Sequence, residues 1–423
     1  MRKVYLSFYL LLFTSYLAIG QTWSAVGTQT YAPGNATFLG IYNGQLFAGV
    51  SNLVACSPRA TVLEWSGSSW VTTSGLAGAS ANTSIIYNNN LIIGGALSTP
   101  IQNVAEWGDT AWNAMGGGTL GTNALVEYNG NLYSGGLSDF EVWAGHGWTV
   151  ADKGAINSVY AFAVYNGSLY AGGNFAQASG VANNIAMRGD TSWETVGSGI
   201  NGSIYALTTY NGELYAAGFF DSAGGKYASN IAVWNDTNWA PVGGGVNFIV
   251  LTMTVFNGQL IVGGEFDSAG GKPANYIAAW NGSAWSALGN GVNNNVTCLA
   301  AYDSVLYVGG DFTSTGGIAA HNIAQWTPNP AGINELSSSN SVTVYPNPGN
   351  GVFILQASSQ WLLANSRLEV YNVLGQQIAN SQWPLANSSI KIDISGQPAG
   401  IYLYRITSGK GESISSGKLI LQR

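Results

Sequence analysis

Charge is scarce in this sequence. Lys, Arg, Asp and Glu make up 8% of its 423 residues, where a globular chain carries about a quarter. Thirteen basic against twenty acidic side chains give a net charge of −7. That argues against a nucleic-acid partner, which calls for a basic patch; mild acidity is the ordinary mark of solubility. Histidine occurs twice, at His146 and His321, and no His-x-x-x-His, Cys-x-x-Cys or Glu-x-x-His spacing exists. A transition-metal centre therefore lacks ligands. A phosphate-binding loop and a Gly-x-Ser-x-Gly nucleophile elbow are missing too. Two cysteines, Cys56 and Cys298, are too few for a disulfide-built fold.

Long apolar runs are also missing, apart from a short one at the start, "MRKVYLSFYLLLFTSYLAIGQT". Arg2 and Lys3 precede an apolar stretch from Val4 to Phe13, and the small residues Ala18 and Gly20 stand before Gln21. This is the layout of a secretory signal peptide over residues 1–20. The stretch is too short to span a bilayer comfortably, so no transmembrane segment is expected. Cleavage leaves a mature charge of −9. In an exported chain Cys56 and Cys298 can form one bridge; two separately buried thiols is the alternative.

What is abundant is glycine (58), tyrosine (22) and tryptophan (15), a turn-rich, all-β composition. An apolar run, then Tyr-Asn-Gly or a near variant, then Leu-Tyr and a small-Gly pair recurs from Tyr42, Tyr87, Tyr128, Tyr165, Tyr210, Phe256 and Tyr302. The spacings are 45, 41, 37, 45, 46 and 46 residues. Asn-Gly between alternating apolar runs signals a tight hairpin. Each unit then carries a second hairpin with tryptophans five apart, as at Trp234/Trp239 and Trp280/Trp285. Two hairpins per unit at this period predict a seven-bladed β-propeller of four-stranded blades over residues 21–328. The last unit ends at Trp326 without a second tryptophan, and the orphan partner is Trp23. The N-terminal strand is thus expected to complete the last blade and close the ring, leaving no exposed sheet edge. That closure also puts Cys56 and Cys298 in neighbouring blades.

Strand connections alternate between the two ends of a propeller. The tight turns are expected on one end; the longer loops "DSAGGKYAS", "DSAGGKPAN" and "TSTGGIAAH" join the blade-to-blade links on the other. Binding residues sit most often on long loops held by a rigid scaffold, so the second end is the expected binding surface. Asp221, Glu265, Asp267 and Asp311 are its candidate residues, read as corresponding positions of successive blades, with His321, Lys226 and Lys272 nearby. Their oxygens suit Ca²⁺ or sugar hydroxyls; capping of turns is the plainer role. Glu265 and Asp311 could also serve acid/base work on a glycosidic bond. The tryptophan pairs are expected to be inter-blade core, since a buried Trp removes about 150–250 Å² from water. Arg188-Gly189-Asp190 spells an integrin-recognition tripeptide but fills the turn slot held elsewhere by "WGD".

The blades, over about residues 22–327, resemble kelch-type propellers. Four apolar residues precede a Gly-Gly pair, as in "QLIVGGEF" and "SVLYVGGDF", and a tryptophan comes late in the repeat. The five-residue tryptophan spacing departs from the usual kelch pattern and is closer to bacterial kelch-like surface proteins. Copper oxidases such as galactose oxidase share this blade type, but their His pair and Tyr–Cys constellation have no counterpart here. The resemblance implies a fold and no activity.

After a Pro/Ser/Asn linker at 329–341, residues 342–423 show short alternating strands that suit a small Ig-like β-sandwich. This segment resembles the type A C-terminal sorting domain of the type IX secretion system of Bacteroidota. The matching residues are Tyr345, Pro346, Asn347 and Pro348, then Gly351, Gly375, Gly400, Tyr402 and Lys418. The resemblance implies a partner in the type IX machinery, passage through the outer membrane, and removal of the domain with release or surface attachment of the propeller. Exported Bacteroidota proteins also carry O-glycans on Asp-Ser/Thr-apolar tripeptides, a pattern met at Thr110, Ser222, Ser268 and Ser304. The expected role is a non-enzymatic binding or adhesion protein, its ligand a glycan or a surface protein and calcium the one cofactor left open. A carbohydrate-active enzyme using loop carboxylates is the alternative.

Overall fold

The computed structural model describes the chain except residues 1–20, 28–33, 53–58, 77, 99–100, 117, 119, 138–139, 153–157, 177–182, 191, 329–341, 358–365, 373–375, 383–388, 408–412 and 423. The expected signal peptide, linker, Cys56 and Gly375 lie outside the described residues. The chain divides into two compact units, one spanning residues 21–328 and the other containing residues 329–423.

In the first unit the turn chemistry acts as the sequence requires. Asn43/Gly44, Asn129/Gly130, Asn166/Gly167, Asn211/Gly212 and Asn257/Gly258 all take positive φ, between 47° and 78°. Only a two-residue turn of primed type needs both central residues there. Each such hairpin pairs with the tryptophan hairpin behind it. The fifth repeat runs Ser203–Tyr210, Glu213–Phe219, Ile231–Trp234 and Trp239–Pro241, neighbours in that order. Seven four-stranded antiparallel sheets of this kind occur among the described residues of the unit.

The last sheet takes its outermost strand from the other end of the chain. Gln21–Ala25 pairs antiparallel with Ile323–Pro328, with Trp23 opposite Trp326. The first strands of the seven sheets touch one another in sequence order, and the last, Val296–Tyr302, touches the first, Gly34–Tyr42. The sheets therefore close a ring, and the core is the set of apolar layers between neighbouring sheets.

The tryptophan pairs fasten those layers. In six sheets the two rings face each other directly across the strands, with centroids 4.8–5.5 Å apart. The second indole also bonds to the preceding sheet. Trp70 donates to the Val26 carbonyl at 2.9 Å, Trp239 to Val196 at 2.9 Å, Trp285 to Val242 at 3.1 Å and Trp23 to Leu288 at 3.1 Å. The turn tyrosines bond the other way, to the turn of the following blade: Tyr128 donates to the Gly167 carbonyl at 3.2 Å and Tyr210 to Gly258 at 3.0 Å. Both aromatic sets are inter-blade structure.

The second unit holds two sheets. One contains Val342–Tyr345, Val352–Ala357 and Ser389–Asp393, and the other Gln377–Gln382, Arg367–Tyr371, Gly400–Thr407 and Ser413–Leu421. Phe353, Leu355, Leu368, Val370, Ile406 and Leu419 share one fully buried core. The Tyr-Pro-Asn-Pro stretch clasps the last strand. Asn347 donates to the Lys418 carbonyl at 2.7 Å and accepts from the Ile420 N–H at 2.8 Å, while both X-Pro bonds of the stretch are cis. Gly351 sits at φ 110°, and a Cβ there would lie 2.4 Å from the Ser395 backbone. Tyr402 donates to the Pro398 carbonyl at 2.6 Å.

Candidate functional site

Long loops and blade links meet on one end of the ring, as the alternation of connections requires. Their junction is a repeated clasp. Asn201, in the link entering the fifth blade, donates to the Asp221 carboxylate at 2.7 Å, and its carbonyl oxygen accepts the N–H groups of Asp221 and Ser222. Asn247 holds Asp267 and Ser268 in the same way, with the carboxylate bond again 2.7 Å. In the seventh blade Asn293 holds Thr313 and Ser314. Asp221 and Asp267 are thus turn-holding acids, the plainer of the two roles expected for them.

Glu265 and Asp311 belong to a different position, which corrects the reading of four equivalent acids. They follow the Gly-Gly pair directly, so their equivalents are Asn174 and Phe219, two residues before the Asp221/Asp267/Thr313 position. The N–H groups of Asn174, Glu265 and Asp311 all bond back to the residue just before the first strand, at 3.0, 2.9 and 3.0 Å. Asp311 is half-buried. Burial beside the seventh blade's core pushes its carboxyl up, and its Oδ1 is buried without a hydrogen-bond partner. Among the described residues no three His, Cys, Asp or Glu side chains come together as a metal-ligating group. His321 is exposed at the start of the last blade's third strand, and Lys226 and Lys272 are exposed on small hairpins.

This end carries a groove of about 500 Å³ where the fourth, fifth and sixth blades meet. Phe219 and Phe248, 52% and 43% exposed, stand edge to face with centroids 5.9 Å apart, and Tyr227 is 75% exposed beside them. Asn174, Asn201, Asn247 and Asp221 supply the polar wall. Exposed rings beside a few polar groups are the general make-up of a ligand site, and clustered exposed aromatics are costly to keep without one. The acids drew attention in the sequence; the rings of Phe219, Tyr227 and Phe248 were missed. Their signal was a departure from the repeat, since Phe248 stands where the fifth blade has Gly202 and the seventh has Asn294.

A second device aims side chains from the first strands. In six blades the pairing register skips a residue at a matching place, Thr37, Asn82, Tyr160, Tyr205, Leu251 and Thr297, and the second blade skips Ala79 as well. Such β-bulges re-aim the skipped side chain. Thr37 and Thr297 donate to the next blade's Ala81 and Ala36 carbonyls, and Asn82 donates to Asn123 at 3.0 Å. Tyr160 and Tyr205 stack at 5.5 Å.

The other sequence candidates fall elsewhere. Arg188 turns its guanidinium over the Phe140 and Trp193 rings, at 5.2 and 5.8 Å, so the Arg-Gly-Asp tripeptide spends its arginine on packing. Cys298 is a buried free thiol among residues of the first blade, and burial lifts its pKa to about 12. Thr110 and Ser304 are exposed in tight turns, whereas Ser222 and Ser268 are half-buried in the clasped loops. Among the described residues no helix is long and apolar enough to cross a membrane.

Residues 343–422 match the family of secretion system C-terminal sorting domains, and residues 257–278 match a β-propeller domain of unknown function. No curated protein matches the chain. Among solved structures, the extracellular domain of a putative hybrid two-component system from B. thetaiotaomicron is similar at 11% identity and TM-score 0.51, covering 96% of this chain and 59% of that one. PorZ, a surface component of the type-IX secretion system of Porphyromonas gingivalis, is similar at 13% identity and TM-score 0.44, covering 94% of this chain and 61% of its own. A GH74 xyloglucanase from Xanthomonas campestris is similar at 12% identity and TM-score 0.44, covering 70% and 43%. The chain thus spans about 60% of the length of the first two. It is an all-β propeller followed by a type IX sorting domain, and that tail directs it across the outer membrane to the cell surface or the extracellular space.

Proposed function

We propose that the propeller is a non-enzymatic glycan-binding module displayed at, or released from, the cell surface. One observation carries this reading: the exposed Phe219/Phe248 pair beside the Asn174, Asn201, Asn247 and Asp221 side chains in one groove. A sugar ring presents an apolar face rimmed by hydroxyls. It needs a ring to stack on and amide or carboxylate groups to bond, which is what this wall supplies. The site belongs to the propeller alone and survives removal of the sorting domain.

The test is thermal unfolding of the full chain with a panel of soluble polysaccharides, alongside Phe219→Ala. A glycan at about a hundred times its dissociation constant adds roughly 2.7 kcal/mol to the native state. A stabilisation that Phe219→Ala removes is the expected result; no stabilisation by any polysaccharide would sink the reading. Release of reducing ends, abolished by Glu265→Gln or Asp311→Asn, would replace it with a hydrolase.

A further inference from the structure

Resting on that reading, we infer that the groove takes an uncharged saccharide, and that Asn174 with Phe219 sets this preference. The selection comes from which groups the fold leaves free. The carbonyl oxygens of Asn201 and Asn247 each accept two backbone N–H groups already, and one amide N–H of each is spent on its clasped aspartate. What remains is a single N–H apiece. Asp221 uses one carboxylate oxygen on Asn201 and keeps the other. Asn174 is exposed, and its carboxamide has no partner among the described residues. The free set is therefore a few neutral donors, a neutral acceptor and one carboxylate oxygen beside two aromatic faces. Neighbouring hydroxyls act as donor and acceptor together, so they match this set without leaving a charge uncompensated.

Among the described residues no Lys, Arg or His lines the groove. A uronate or sulfate entering it would face the Asp221 carboxylate with no cation to offset it, and desolvating an unpaired charge is unfavourable. A chain running on over the sixth and seventh blades meets more of the same sign. The positions equivalent to Asn174 and Phe219 there are Glu265 and Asp311. The blade scaffold repeats, but this rim position holds an amide, a ring and then two acids in four successive blades. Selectivity on a repeated scaffold has to come from such departures, so Asn174 and Phe219 are the specificity residues of the groove.

The experiment is affinity electrophoresis of the full chain through gels containing hydroxyethyl cellulose, glucomannan or galactan, and through gels containing polygalacturonate or heparin. Free phosphocholine is added as a competitor for the aromatic faces. Expected is retardation by at least one neutral polysaccharide, unchanged by moderate salt. Asn174→Ala and Phe219→Ala should each weaken it about tenfold, Phe219→Tyr should restore it, and Glu265→Gln should leave it unchanged. Both residues are exposed, so these variants keep the fold, and an unchanged melting temperature checks it. Salt-sensitive retardation by the acidic polymers alone would overturn the inference while leaving a glycan-binding propeller. Loss of retardation with phosphocholine would overturn it in favour of a cation site. No retardation anywhere, or Asn174→Ala and Phe219→Ala both silent, would overturn the inference and the glycan reading together.

Discussion

Replacing Trp239 by Phe separates the two uses a propeller can make of tryptophan. The Trp239 side chain is 1% exposed, tilts against Trp234 at 5.4 Å, and donates its indole N–H to the Val196 carbonyl at 2.9 Å. Phenylalanine keeps the first ring and loses the donor and the second ring. The Val196 carbonyl also accepts the Gly199 N–H at 3.1 Å, so it is not orphaned, and the hydrogen-bond loss is about 1 kcal/mol. The space left by the missing ring adds about 1–2 kcal/mol, because neighbouring backbone such as Gly224 relaxes only in part. The total of about 2–3 kcal/mol, in a unit of this size, lowers the melting temperature by roughly 3–5 °C. Tryptophan fluorescence during heating reads that shift, and gel retardation by the neutral polysaccharide that binds the wild type reads function at 25 °C. Stability should fall and binding should not. Binding lost at unchanged stability would refute the staple and make the tryptophan hairpins the sugar platform instead.

Three further outcomes follow from individual groups. Asp311→Asn should stabilise the chain at neutral pH: burial raises this carboxyl above its ordinary 3.8, so its charge opposes folding above that pH, and the gain over wild type should vanish in acid; a urea series in which the gain persists in acid would contradict this. In a Cys56→Ser background Cys298 should resist a thiol reagent at about pH 8 until the protein unfolds. Because its folded pKa is raised from 9.0 to about 12, its contribution to stability is whole below pH 9 and drains away as pH climbs toward 12; rapid labelling of native protein would show that the thiol is not buried. Asn347→Ala, which removes two hydrogen bonds to the last strand, should cost that sheet about 1–2 kcal/mol, speed amide exchange at Lys418 and Ile420, and leave less protein at the cell surface; unaltered exchange would refute the clasp.

The blades were legible because their determinants are local and repeated. Asn-Gly between apolar runs has few backbone solutions, and the orphan Trp23 has one partner left, Trp326. The sorting tail was legible as an ordered set of blocks, and the structure gives part of the spacing a cause: Asn347 and Lys418, 71 residues apart, share a hydrogen bond. The site was harder to read. The acids look alike, yet Asp221 and Glu265 differ in register by two residues, and in a strand-to-loop transition two residues separate a clasped turn from an open rim. The partner that occupies Asp221 is Asn201, twenty residues upstream and across a sheet, which charge alone does not announce. Nor does any residue type mark the bulges, since Thr, Asn, Tyr and Leu all occupy the skipped position.

Recognition on a repeated scaffold requires differences between its tiles. Where the Asn clasp, the Gly-Gly pair and the tryptophan staple recur, they set the backbone alike, and a rim with equal side chains in every blade would present equal subsites. An asymmetric ligand can be held in one place only where the tiles differ. In this chain they differ most on the loop end: Asn174, Phe219, Glu265 and Asp311 at one position, and Gly202, Phe248 and Asn294 at another. Only at the boundary between the fifth and sixth blades do both positions carry rings, and only there does the edge-to-face pair form. Introducing Phe219→Glu would therefore give the fifth blade the sixth blade's rim while leaving the clasp and staple intact. Binding should disappear with the melting temperature unmoved, because Phe219 is half-exposed and holds no part of the core. A protein that still bound its polysaccharide after that exchange would place recognition somewhere the repeat does not vary.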